Sequence, residues 1–203
     1  MHDWDNRILE LRARTVFEES ISIKQAFMRE GLDLLVKAAK VIALAFSRGN
    51  RLLLFGNGGS AADAQHIAAE FVNRYRMERP GLPAVAITTD SSVLTSIGND
   101  FDFESVFSRQ LKALGQKGDV AWALSTSGGS PNVLRGLGMS RQLGMYSIAL
   151  LGKDGGKAGE LSDLPIIVRG LDTPRIQELH ILASHVICDL VETILFQEPS
   201  HGH

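Results

Sequence analysis

Five short apolar runs punctuate the chain from residue 51 to residue 168: "RLLLF" (51–55), "PAVAI" (83–87), "DVAWAL" (119–124), "YSIALL" (146–151) and "LPIIV" (164–168). Each is short for a helix, and none shows the polar alternation of a strand with one wet face. Helical stretches separate the runs, from Ser60 to about Tyr75, from about Asp90 to Leu114 and from about Pro131 to Leu143, and a last one covers about Pro174 to Phe196. Continuous apolar strands alternating with helices form a parallel sheet covered on both faces. Ahead of the first run, Trp4 to Phe46 reads as helical. There Leu32, Leu35, Val36, Ala39, Ile42, Ala43 and Phe46 form one apolar stripe, and "SRGN" (47–50) supplies a stop.

The 203 residues, 44% hydrophobic and 22% charged, suit a single domain over 1–203, with N-terminal helices in 1–50 and an α/β core in 51–198. A formal charge of -2 gives no excess of cations to hold nucleic acid or an anionic membrane, so neither is expected as a partner. Cys188 is the only cysteine, which rules out a disulfide within the chain. The first twenty residues are charged throughout and lack the apolar centre of a secretory signal, and no uninterrupted apolar run reaches membrane-spanning length. A cytoplasmic location is the expectation. The terminal "EPSHGH" reads as disordered.

Two glycine-rich turns fall where a strand ends and a helix begins, the edge at which open α/β sheets bind ligands. In "GNGGSA", Gly56, Gly58 and Ala61 satisfy the loose dinucleotide-binding pattern. The acidic partner expected about 20 residues later, at the end of the next strand, is missing, since Asp90 lies well beyond it. No Gly-Lys-Ser/Thr follows either, so this is not a nucleotide-triphosphate loop. The second turn, "STSGGS" (125–130), brings Ser125, Thr126, Ser127 and Ser130 beside two glycines and a helix begun by Pro131. Backbone N–H groups, hydroxyls and the positive end of a helix hold a phosphate without a lysine. A plain solvated Ser/Gly turn has the same composition.

Inside the first core helix, His66 and Glu70 stand four apart and share a face. Imidazole and carboxylate at that spacing suit zinc, although an isolated pair is more often surface polarity. In "RIQELHILASHVICDL" Leu179, Leu182, Val186 and Leu190 mark the buried stripe, with Gln177, His180 and His185 off its centre. Nothing in the spacing chooses between the two histidines.

Taken together, "GNGGSAADAQHIAAEF", "NRYRMERPGLPAVAI", "IGNDFDFESVFSRQL", "STSGGSPNV", "GKDGG" and "RIQELHI" resemble the sugar isomerase (SIS) domain, and within it the phosphoheptose isomerase family. The segments follow that family's order over nearly the whole chain. The resemblance implies a three-layer αβα sandwich, flavodoxin-like, with a five-stranded parallel sheet and preceding N-terminal helices. It implies an aldose–ketose isomerase of sedoheptulose 7-phosphate, assembled as a homotetramer with sites at subunit interfaces and the N-terminal helices at the oligomer contact. By that resemblance Asn57, Gly58, Gly59, Asn99 and Asp100 contact the sugar, and Ser125, Thr126, Ser127 and Ser130 hold the phosphate. His66, Glu70, Gln177 and His185 match the ligands of one zinc ion per subunit, with Glu70 and His185 as the acid/base pair and Glu70 and Gln177 also at the substrate. Arg74 matches an active-site arginine. Just before "RIQ", where members carry an acidic residue, this chain has Pro174, with Asp172 two positions earlier.

Gln177 and His185 are separated by eight residues, about 12 Å along a helix at 1.5 Å per residue. Either both side chains of one subunit extend to a common ion, or the site mixes two subunits. A rival of the same fold, a DnaA-binding replication initiation regulator, shares "SAADAQH"-like segments. That regulator lacks the equivalents of Glu70 and His185, so the resemblance favours the isomerase.

Overall fold

The computed structural model describes residues 5–197. Trp4, where the helical reading begins, the end of the 51–198 core at Glu198, and the "EPSHGH" tail lie outside the described residues. The five apolar runs are five strands, β1 (Leu52–Gly56), β2 (Ala84–Ala86), β3 (Val120–Ser125), β4 (Tyr146–Gly152) and β5 (Leu164–Val168). They pair in parallel, in the order β2-β1-β3-β4-β5.

The strands lack polar alternation because their side chains feed two cores in turn. Leu52 and Leu54 of β1 point into one core and Leu53 and Phe55 into the other; Val120, Trp122 and Leu124 of β3 face opposite Ala121 and Ala123. Each fully buried Leu or Phe contributes roughly 1.5–3 kcal/mol relative to exposure, so a polar residue at either parity would be costly. One core is closed by α2 (Leu32–Ser47), α3 (Gly59–Val72) and α8 (Thr173–Phe196), with Phe27 of α1 (Asn6–Glu30). The other is closed by α4 (Ser91–Asp100), α5 (Val106–Leu114), α6 (Pro131–Gln142) and α7 (Gly156–Leu161). The architecture is a three-layer αβα sandwich with the strand order of flavodoxin-like folds.

The structure departs from the sequence reading in several places. The helical stretch before residue 47 is two helices, parted at Gly31, whose missing side chain leaves room for the Phe27 ring. The stop at "SRGN" holds, with Gly49 at φ +77° just beyond α2. The 90–114 stretch breaks after Asp100 into α4, a short 3-10 turn (Phe103–Ser105) and α5. Helix α3 ends at Val72, not near Tyr75, because the Arg79 side chain takes its terminal carbonyls. Helix α7 was not anticipated: its "GKAGEL" carries no apolar period. Helix α8 is long and apolar enough to cross a membrane, with mean hydropathy 1.6 over 18 residues. In the fold Ile176, Leu179, Ala183, Ile187, Cys188 and Val191 place one face of it in the core. Leu182 of the expected buried stripe is exposed and Val186 and Leu190 are half-buried, because the core-facing side is turned towards Ala183 and Ile187.

Candidate active site

The chain runs from β1 to β2 on one side of the sheet and then crosses to β3 on the other. The crevice at such a reversal, outside the carboxyl ends of the strands, is where ligands bind in this class of fold. Both glycine-rich turns open there, one after Gly56 of β1 and one after Ser125 of β3.

In the first turn Gly58 caps α3 with φ +54° and ψ -122°, a conformation that side chains rarely adopt. At Gly59 a Cβ would fall 2.5 Å from Nε2 of Gln177, so glycine admits the α8 side chain to the start of α3. Asn57 donates from Nδ2 to Oδ1 of Asn132 at 2.8 Å, and Asn132 returns the same bond at 2.8 Å. This reciprocal amide pair locks the first turn to the opening turn of α6.

In the second turn Ser125 is buried, and its Oγ accepts the Gly128 N–H at 3.1 Å, shaping the loop from within. Ser127 is exposed and Thr126 and Ser130 are half-buried. Ser130 stands at the N-cap of α6 without a side-chain capping bond, and Pro131 follows at the first helical position, so the helix N-terminus keeps donors for an anion. The loop is backed by "GKDGG": Gly128 O accepts the Ala158 N–H at 2.9 Å, and a Cβ on Gly128 would collide with the Gly155 carbonyl. A Cβ on Gly156 would likewise meet the Gly128 backbone at 2.9 Å, so the glycines after β4 serve the packing of the loop.

His66 and Glu70, one turn apart on α3, meet His185 of α8. His66 Nε2 lies 3.1 Å from Glu70 Oε1 and 3.1 Å from His185 Nε2. Their ligating atoms all fall within 4.8 Å of one another, the one such group of three among the described residues. Two imidazole nitrogens this close either share a proton or aim both lone pairs at a cation. Ligands 2.0–2.1 Å from a tetrahedral zinc lie roughly 3.3 Å apart, so the donor set and its spacing fit a divalent metal. Burial and the neighbouring His66 push the His185 pKa down, with Glu70 opposing them. The Tyr75 ring stacks on the His185 ring, centroids 5.5 Å apart at 25°.

One chain therefore brings together His66, Glu70 and His185. Gln177 stays at the start of α3 against Gly59, and among the described residues its side chain makes no hydrogen bond. Asn99 and Asp100 end α4, are exposed, and bond to each other at 2.9 Å. Arg74 pairs with Glu78 at 2.9 Å on the surface. Sequence reasoning missed Asn132, although "SPNV" contains it, and Tyr75, whose stacking no local pattern encodes. It also missed Asp63, one turn before His66, whose Oδ2 is buried without a partner and whose pKa burial raises while His66 lowers it.

Residues 16–152 match the family model described as the SIS domain. A phosphoheptose isomerase of Thermodesulfovibrio yellowstonii is 48% identical over 192 residues, spanning 95% of this chain and 96% of the relative. One of Aquifex aeolicus is 50% identical over 184 residues, spanning 91% and 96%. Among solved structures, phosphoheptose isomerase from Neisseria gonorrhoeae superposes with a TM-score of 0.87 at 42% identity, over 91% of this chain and 99% of the other. With near full-length matches of this kind, the chain belongs to the SIS domain family and, within it, to the phosphoheptose isomerases.

Proposed function

We propose that the protein isomerises sedoheptulose 7-phosphate to D-glycero-D-manno-heptose 7-phosphate, the first step of ADP- or GDP-heptose synthesis for bacterial surface polysaccharide. The observation that carries the reading is the convergence of His66, Glu70 and His185 between α3 and α8, in a chain whose 125–130 turn offers a phosphate-type site after β3. The reaction moves a proton between C1 and C2 through a cis-enediol. Glu70, half-buried, takes a proton from C1, exchanges it with solvent and delivers one at C2. His185, whose pKa burial and the neighbouring His66 lower, accepts a proton from O1 and gives one to O2. Thr126, Ser127, Ser130 and the first N–H groups of α6 bind the 7-phosphate far from the reacting carbons and orient them, with Ser125 shaping the turn.

His66, Glu70 and His185 would hold one zinc ion per subunit, with Gln177 as a fourth ligand or a substrate contact. When bound, the metal supplies Lewis-acid polarisation of the carbonyl. Asn57, Gly58 and Gly59 line the sugar site. Asn99, Asp100 and Arg74, turned to solvent in one chain, are proposed to complete a site across a subunit boundary in a homotetramer. Support for such an assembly comes from α1, which exposes Ile8, Leu9, Leu11, Phe17, Ile21 and Met28 along one 25-residue helix. We further propose a single domain over 1–203 and a cytoplasmic location.

The test is incubation of the purified protein, with and without added zinc, with sedoheptulose 7-phosphate, following the aldose product by NMR. Conversion that Glu70→Gln and His185→Gln abolish supports the reading. No conversion by the wild-type protein at saturating zinc rejects it, and full activity in both variants rejects the assignment of roles.

A further inference from the structure

Beyond the end of α3, residues 73–80 form no regular element, yet their backbone is held from within. The Glu192 carboxylate on α8 accepts four donors: the N–H groups of Tyr75 at 2.9 Å, Arg76 at 2.9 Å and Met77 at 3.0 Å, and Nε of Arg79 at 2.9 Å. Arg79 in turn donates to the carbonyls of Glu70 at 2.8 Å, Phe71 at 2.6 Å, Asn73 at 3.3 Å and Pro80 at 3.1 Å. The two side chains are 1% and 2% exposed, so both charges are fully withdrawn from water.

A buried ion pair is a poor way to gain stability, because desolvation offsets most of its attraction. What this pair does is geometric. Glu192 stands seven residues, about two turns, beyond His185 and so on the same side of α8. Arg79 closes the carbonyls at the end of α3, including that of Glu70 itself. The turn between them carries Tyr75, whose ring lies on the imidazole of His185. One buried pair therefore ties together the helix end bearing Glu70, the helix bearing His185 and the aromatic ring that limits how His185 can tilt.

We propose that Glu192 and Arg79 are positioning residues, which act through Tyr75 to hold the His185 ring in register with Glu70 and His66. The proposal rests on the reading of Glu70 and His185 as the acid/base pair, but its spectroscopic arm does not need activity. In Glu192→Gln the new NH2 group confronts donors that the carboxylate accepted, so the turn loosens while the side-chain shape is kept. Arg79→Lys keeps the charge and loses the fork that spans four carbonyls. Tyr75→Leu leaves the pair intact and removes only the aromatic ring.

The experiment is NMR of protein with labelled histidine, metal-free and zinc-loaded, in wild type and the three variants, with His185 assigned through His185→Gln. Tyr75→Leu sets the His185 ring-proton position without an aromatic neighbour. The expected result is that Glu192→Gln or Arg79→Lys, whichever folds, moves those signals at least halfway to that position. In the isomerase assay, kcat falls about tenfold while KM changes less than about twofold, the pattern of misplaced reacting groups and not of lost binding. A folded variant of either residue with His185 signals at wild-type positions and kcat within about twofold of wild type overturns the proposal. If wild type does not convert the sugar phosphate, the functional reading fails, and the His185 shifts alone still decide whether the pair positions the ring.

Discussion

His180 and His185 stand five residues apart on α8, about 140° around the helix, and they live in opposite chemistry. His180 is fully buried beside the Leu151 backbone, neither ring nitrogen has a partner in hydrogen-bond geometry, and burial pushes its pKa down to about 4. His185 is partly open, its Nε2 faces His66, and Tyr75 covers its ring. Both are lowered by desolvation, but only His185 has a carboxylate, Glu70, pulling the other way. The same residue type on one helix thus serves as core filling at one angle and faces the His66–Glu70 cluster at another, where we propose that it transfers protons. The neighbours brought by α3 and by the 73–80 turn decide which.

The largest expected effect breaks the comparison on the site face. Glu70→Gln and His185→Gln should each lower kcat by about 10²- to 10⁴-fold, the range for loss of a general acid or base. The urea midpoint should hardly move, since both groups are partly exposed at a crevice. Steady-state kinetics beside equilibrium unfolding separates the two, and a variant that loses stability in step with activity would place His185 with His180.

The next effect lies on the core face. The unfolded chain protonates His180 as pH falls through 6.5, while the folded state keeps it neutral to about pH 4. The unfolded state therefore binds more protons in that window. The stability tied to neutral His180 is complete above pH 6.5 and is lost as pH falls towards 4, a change of about 3 kcal/mol. His180→Leu should flatten that slope in urea titrations between pH 7 and pH 4 while leaving the isomerase rate within about twofold. An unchanged slope would mean that His180 finds a partner when charged.

The smallest effect sharpens the core face further. Cys188, eight residues past His180, is buried, and burial with Glu70 and Glu192 nearby drives its thiol well above the ordinary range. It should not react with a disulfide reagent in the native protein at pH 8 and should react fully in denaturant. Rapid native labelling would show that this face of α8 opens.

The five strands were legible because two-sided burial writes itself as runs such as "RLLLF" and "YSIALL", and both glycine turns were legible from their hydroxyls and helix starts. Three of the four residues matched to zinc ligands meet within one chain, which a spacing of four and the resemblance together anticipate. The rest is encoded in pairings that no local period carries. Asn57 finds Asn132 across 75 residues, and Glu192 reaches Tyr75 across 117. Gly31 parts two helices because Phe27 folds over it, which the apolar stripe cannot reveal. The reach from Gln177 to His185, open in the sequence, is answered in part: Gln177 lies at the first turn of α3, and His185 lies farther along it beside His66 and Glu70.

The central claim is that His66, Glu70 and His185 of one chain form the centre that interconverts a ketose and an aldose phosphate. The direct measurement is NMR of sedoheptulose 7-phosphate in deuterated water with zinc-loaded protein. The account predicts formation of the aldoheptose 7-phosphate with solvent deuterium at C2, and loss of that product in Glu70→Gln. A substrate that stays unconverted with wild-type protein would contradict it.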